Sequence, residues 1–214
     1  MRNIRTRVKV CGLTSAIDAA EAVRAGADAL GVILAESRRQ VTLTEAERIF
    51  AEVPPFVARV GVFVDAPADY VERAVARLAL TAVQFHGSES AERCAAAPAP
   101  VIKAVRVGPG FDAGALDVYR GSVAALLLDT YVEGVHGGTG RTFPWDTVAP
   151  LPSWAPVIVA GGLNPVNVGA AIRALAPYGV DVSSGVEERL RQKDRMKLHA
   201  FVAAVHAADE EVRQ

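Results

Sequence analysis

Short β-branched runs recur along the whole chain, each broken by a polar or glycine-rich stretch and followed by apolar residues at helical spacing. Residues 7–11, 29–34, 58–64, 82–85, 101–105, 124–128, 156–159 and 179–182 read as eight strands. Between them, Ala46, Ile49, Phe50 and Val53 follow the i, i+3, i+4, i+7 rule, as do Val168, Ala171, Ile172 and Leu175, and Leu198, Phe201, Val202 and Val205. Each set marks one buried helix face. Thr42 with Glu45 has the capping-box pattern, Asn164-Pro165 supplies a cap followed by proline, and Asp194 can cap the last helix.

Eight strand–helix units in 214 residues, with no linker or low-complexity segment, predict an α/β chain folded as one (β/α)8 barrel spanning residues 1–214. An open flavodoxin-like or Rossmann sheet needs only five or six strands, and no G-x-G-x-x-G follows the first one. A barrel gathers the residues just past its strand ends at one mouth. Those are Cys11 and Gly12; Ser37, Arg38 and Arg39; Asp65; His86 and Gly87; Arg106; Asp129; Gly161 and Gly162; and Ser183, Ser184 and Gly185. Lysines and carboxylates elsewhere read as solvated helix faces.

Composition narrows the function. The chain is 51% hydrophobic, enough for a large core, and its formal charge of −1 leaves no basic excess for nucleic acid or an anionic membrane. A small ligand is the expected partner. No run approaches the roughly 18 apolar residues of a spanning helix, so a cytoplasmic protein is expected. Cys11 and Cys94 are the only cysteines, too few for a disulfide framework and not spaced as zinc ligands.

Asp129 closes the apolar run 124–128, and a carboxylate desolvated there can hold a proton near neutral pH and deliver it to a substrate. Aspartate also caps helices and starts turns, so the residue alone supports both readings. Gly161 and Gly162 permit close backbone approach, while Ser183, Ser184 and Gly185 offer donors at the start of a short helix; together they read as a phosphate site. Gly137-Gly138-Thr139-Gly140 reads either as a second phosphate cradle or as a lid. Cys11 is either a reactive thiol or a small buried hydrophobe.

The segments Lys9-Val10-Cys11-Gly12-Leu13-Thr14, Val60-Gly61-Val62-Phe63-Val64, Val83-Gln84-Phe85-His86-Gly87, Leu127-Leu128-Asp129-Thr130, Gly137-Gly138-Thr139-Gly140-Arg141-Thr142-Phe143-Pro144-Trp145, Ala160-Gly161-Gly162-Leu163-Asn164-Pro165 and Val180-Asp181-Val182-Ser183-Ser184-Gly185-Val186-Glu187 resemble, in order, the signature blocks of the phosphoribosylanthranilate isomerase family of tryptophan biosynthesis. The resemblance runs nearly end to end. It implies an Amadori rearrangement needing neither cofactor nor metal, in which N-(5-phosphoribosyl)anthranilate becomes 1-(2-carboxyphenylamino)-1-deoxyribulose 5-phosphate. It also implies roles: Asp129 as general acid, Cys11 as general base, Arg39 as ligand of the benzoate carboxylate, and His86 and Asp181 as substrate contacts. Gly161, Gly162, Ser183, Ser184 and Gly185 would hold the phosphate.

Departures from the family pattern bear on the site. Arg38 replaces a usual proline and Gln40 a hydrophobic residue or tyrosine, leaving the carboxylate ligand open between Arg38 and Arg39. Residues 188–192 lack the usual glycine or proline, so a reshaped loop is expected, and Asp65 replaces a frequent asparagine. Lys9 is expected to point away from Cys11; ideal strand alternation would put the two on one face, but strand ends are irregular enough to leave this open. Competing readings are the histidine-pathway and two-substrate isomerases, which use a carboxylate where Cys11 stands, and a catalytically silent phosphosugar-binding barrel. Monomer and homodimer both fit.

Overall fold

The computed structural model describes residues 5–130 and 148–213. Eight parallel strands close into a barrel in sequence order: β1 (Arg7–Val10), β2 (Ala29–Ile33), β3 (Ala58–Phe63), β4 (Ala82–Phe85), β5 (Val101–Val107), β6 (Ala125–Thr130), β7 (Val157–Val159) and β8 (Gly179–Val182). β1 and β8 complete the ring, with Lys9 opposite Asp181. All eight expected strands are present; bounds differ by up to two residues.

The described α-helices are α1 (Ala16–Ala25), α2 (Leu43–Phe50), α3 (Ala68–Leu78), α4 (Ala91–Ala95), α5 (Val168–Leu175) and α6 (Arg195–Arg213). The three apolar sets read from the sequence are all buried. Full burial of each large member contributes about 1.5–3 kcal/mol before entropy is counted. α2 begins at the capping box of Thr42 and Glu45, both of whose hydrogen bonds form. Asp194 caps α6, accepting from the Lys197 amide at 3.0 Å. Asn164 does not cap α5: its Oδ1 accepts from the amides of Val166 and Asn167 at 2.9 and 3.2 Å, a local turn that moves the helix start to Asn167.

Between β5 and β6 the connection is a 3-10 helix (Ala113–Tyr119), not an α-helix. The Gly108-Pro109-Gly110 turn, Gly114 and Gly121 disfavour an α-helix there, and Asp112 caps the shorter element by accepting from Gly114. After β8, a hairpin of β9 (Glu187–Arg189) and β10 (Gln192–Lys193) fills the stretch expected to be reshaped. Arg191 takes the left-handed position at its turn, φ 72°. Its guanidinium donates to the carbonyls of Arg38 and Gln40, and its own carbonyl accepts from Thr14, so the hairpin clips the loops after β1 and β2 together.

Alternation along the strands separates two apolar layers. Leu126 and Leu128 pack outward among the helices, while Ile102, Ala104, Ala125, Leu127, Ile158 and Ala160 form a smaller inner cluster. Among the described residues no helix is long and apolar enough to cross a membrane.

Candidate active site

Each chemically interesting side chain stands one step beyond an inward-facing strand residue. Leu127 leads to Asp129, Gln84 to His86, Lys9 to Cys11, and Asp181 to Ser183. All therefore converge at the C-terminal rim of the barrel. Arg106 follows Ala104 in the same way and is the register partner of Asp129.

Cys11 is buried, and its amide donates to the Val182 carbonyl at 2.8 Å. Lys9 lies beneath it on the same face rather than pointing away as expected from the sequence, because the regular alternation of β1 holds to its end and both side chains face Gly31. Its ammonium donates to Asp181 Oδ1 at 2.9 Å. Gly31 of β2 makes the room: a Cβ there would sit 2.9 Å from Cys11 Sγ and 3.2 Å from Lys9 Nζ. Burial pushes the thiol's pKa up; Lys9 opposes that shift and Asp181 reinforces it. Burial also disfavours the Lys9 ammonium, but the Asp181 carboxylate and the thiolate outweigh it and hold Lys9's pKa above its ordinary value.

Removing the Lys9 charge removes a stabiliser of the thiolate. Lys9→Met should therefore move the rising limb of kcat/KM against pH to higher pH. Lys9→Met/Asp181→Asn, which leaves no buried carboxylate unpaired, separates this effect from instability. A limb that stays in place in Lys9→Met would show that Lys9 does not act on the thiol; the double variant, which also loses the opposing influence of Asp181, serves as the stability control.

His86 and Asp129 meet at the mouth, with Nε2 3.2 Å from Oδ2. Gln84, fully buried inside the barrel, places its Nε2 3.1 Å from His86 Nδ1. With Gln84 Nε2 as donor, Nδ1 accepts and the ring proton faces Asp129. The ring is thus held by two side chains rather than satisfied by backbone. Gln84 escaped the sequence reading, although its position two residues before His86 in a short strand puts both on one face.

The β4 end is fixed by a buried pair that sequence reasoning took for solvated surface. Lys103 and Glu89 lie 3.1 Å apart, and both are almost fully buried. Glu89 accepts from the amides of Asp65 and Gly87, each at 2.9 Å, while Lys103 donates to the Gly87 carbonyl at 2.7 Å. Asp65, at φ 47°, accepts from the Ser88 amide. These bonds pin the loops after β3 and β4 around His86.

Arg39 is buried, whereas Arg38 is exposed. Arg39 Nε and Nη2 donate to the two carboxylate oxygens of Glu187 at 2.7 and 2.6 Å. Lys193, also buried, donates to Glu187 Oε1 at 3.3 Å and to the Ser183 carbonyl at 2.9 Å. Burial works against ionisation of Glu187, but Arg39 and Lys193 outweigh it and hold its pKa below the ordinary value. The bond to Glu187 raises Arg39's pKa, while burial lowers that of Lys193. Glu187 and Lys193, too, were read as solvated and are not. Gly12, at φ 70°, lies where Arg39 and Ser183 converge: a Cβ there would come within 2.7 Å of Arg39 Cδ and 2.9 Å of Ser183 Oγ.

The loops after β7 and β8 touch through backbone. Gly161 and Gly162 have φ of 85° and 64°, and a Cβ on Gly185 would fall 1.9 Å from the Leu163 carbonyl oxygen. The short helix expected after Ser183 is a single 3-10 turn (Ser184–Val186), too short for a helix dipole to matter. Any grip on an anion there comes from individual amides and hydroxyls. The glycine-rich stretch 137–140 lies outside the described residues.

A family model described as N-(5'phosphoribosyl)anthranilate (PRA) isomerase matches residues 8–204. The N-(5'-phosphoribosyl)anthranilate isomerase of Pseudomonas fluorescens (strain SBW25) is 46% identical over 200 residues, which cover 93% of this chain and 95% of the relative. The crystal structure of phosphoribosyl anthranilate isomerase from Thermotoga maritima superposes with a TM-score of 0.88 at 38% identity, covering 94% of this chain and 99% of that one. A phosphoribosyl anthranilate isomerase in complex with reduced 1-(o-carboxyphenylamino)-1-deoxyribulose 5-phosphate matches with a TM-score of 0.85 at 37% identity and the same coverage.

Proposed function

From the premise that the chain belongs to the N-(5'-phosphoribosyl)anthranilate isomerase family, we propose that Asp129 and Cys11 are the acid and base of its Amadori rearrangement. The protein is an isomerase of tryptophan biosynthesis, converting N-(5-phosphoribosyl)anthranilate to 1-(2-carboxyphenylamino)-1-deoxyribulose 5-phosphate.

Asp129 gives a proton to the furanose ring oxygen as the anilino nitrogen's lone pair pushes out the C1–oxygen bond, leaving an iminium ion. That charge makes the C2 hydrogen acidic. The Cys11 thiolate removes it, helped by the Lys9 ammonium, and the resulting enaminol takes a proton at C1 and loses the proton of its C2 hydroxyl to become the aminoketose. The observation that carries this reading is Cys11 at the barrel rim above the Lys9–Asp181 pair, with Asp129 and His86 in contact at the same rim.

The phosphate is held by Gly161, Gly162, Ser183, Ser184 and Gly185, and the benzoate carboxylate by Arg39. Asp181 contacts the substrate from beneath, and His86 from beside Asp129. Arg39→Ala should raise KM by about tenfold or more with little change in kcat, because its contact is equal in ground and transition states. Arg38→Ala should leave both constants alone. If Arg38→Ala raises KM instead, the assignment is off by one residue.

Turnover of freshly generated phosphoribosylanthranilate, run beside the histidine-pathway aminoaldose, tests the substrate. Conversion of the first alone is expected, since a thiol stands where the two-substrate enzymes have a carboxylate. Conversion of both would overturn the single-substrate reading.

A further inference from the structure

Arg39, Glu187 and Lys193 form a buried cluster of two cationic side chains and one carboxylate. With both cations protonated, one positive charge is left over, and a buried surplus charge is costly unless an anion completes it. The guanidinium is a flat fork with two usable edges. Its described hydrogen bonds engage Nε and Nη2 only, both with Glu187. Nη1 and the outer N–H of Nη2 form the edge that remains. Lys193 bonds Glu187 with one hand and the Ser183 carbonyl with the other, so the cluster is joined to the loop that carries the phosphate donors. The β9–β10 hairpin that supplies Glu187 and Lys193 is itself anchored: Lys193's amide donates to Asp18, and the Lys197 ammonium to the Glu187 carbonyl.

We propose that Glu187 is a positioning residue: it grips one edge of the Arg39 guanidinium and turns the other edge toward the carboxylate of the substrate's benzoate ring, while Lys193 ties that grip to the phosphate loop. This rests on Arg39 being the benzoate ligand. Glu187 touches no reacting atom. It fixes a long side chain that would otherwise lose its freedom only on binding.

Two probes separate this role from a merely structural one: reduced 1-(o-carboxyphenylamino)-1-deoxyribulose 5-phosphate, and the same molecule without its ring carboxylate. Glu187→Gln in the full chain should weaken the first roughly tenfold, the scale of a charge-assisted hydrogen bond, and the second by less than about twofold. Glu187→Asp, which keeps the charge but withdraws the grip, should show the same selectivity if the glutamine variant folds poorly. Arg39→Ala/Glu187→Gln should bind the carboxylated probe no more weakly than Arg39→Ala alone. Equal loss for both probes, or no loss, overturns the proposal. If Arg39→Ala itself keeps full affinity for the carboxylated probe, the benzoate assignment fails first, whatever the Glu187 variants do.

Discussion

Asp129→Asn is expected to lower kcat by about 10²–10⁴-fold, the usual worth of one positioned proton donor. The amide has the shape of the carboxyl and can still meet His86, so the loss isolates proton transfer from packing. With its side chain 30% exposed at a strand end, Asp129 carries little of the core, and thermal stability should hardly move. Affinity for the reduced product analogue should survive, because the ring is already open in that molecule and its former ring oxygen carries its own proton as the C4 hydroxyl. His86 offers the competing explanation, since its Nε2 lies against the carboxylate. If Asp129→Asn keeps more than about a tenth of wild-type kcat while His86→Asn does not, the acid is the imidazole and not the carboxyl.

Cys11→Ser should cost kcat on a similar scale, about 10²–10⁴-fold. A serine hydroxyl fits the space facing Gly31 but holds its proton far more tightly than a thiol. Burial already raises the Cys11 pKa, so the wild-type rate should climb with pH as the thiolate forms, and the serine variant should lack that limb. Cys11→Asp supplies the chemical rescue. A carboxylate beside Lys9 can act as a base near neutral pH, so partial recovery of kcat with a lost alkaline limb is expected. Wild-type kcat in Cys11→Ser would remove the thiol from the mechanism.

The barrel and the places of Asp129 and Cys11 at its rim were legible because each rests on local signals, whereas the acid and base roles proposed for them came from the family resemblance. The run 124–128 announces a buried strand, and the residue past its end must leave the apolar layer, which puts Asp129 at the rim. Cys11 follows from β1 in the same way, and the Thr42–Glu45 box marks α2 within four residues of sequence. What stayed hidden depends on partners far along the chain. Glu187 and Lys193 look like surface charges until Arg39, 148 residues before Glu187, is folded against them. Lys103 and Glu89 are buried against each other, where a lysine in an apolar strand was the only hint. The turn at Asn164 was misread because asparagine before proline caps helices and also starts turns, and only the amides of Val166 and Asn167 decide between them.

Lys9 meets Asp181 across 172 residues of sequence, and Thr6 is bonded to Asp209 across 203. Cys11 and Lys9 thus emerge together early in synthesis, while Asp181, which holds the Lys9 ammonium, arrives late. Until β8 has closed against β1 and the β9–β10 hairpin has clipped the early loops together, a nascent chain has the cysteine and the lysine without the contacts that hold them at the rim. Recovery of activity after dilution from denaturant should therefore lag behind recovery of helical signal, as ring closure by contacts of such separation is slow.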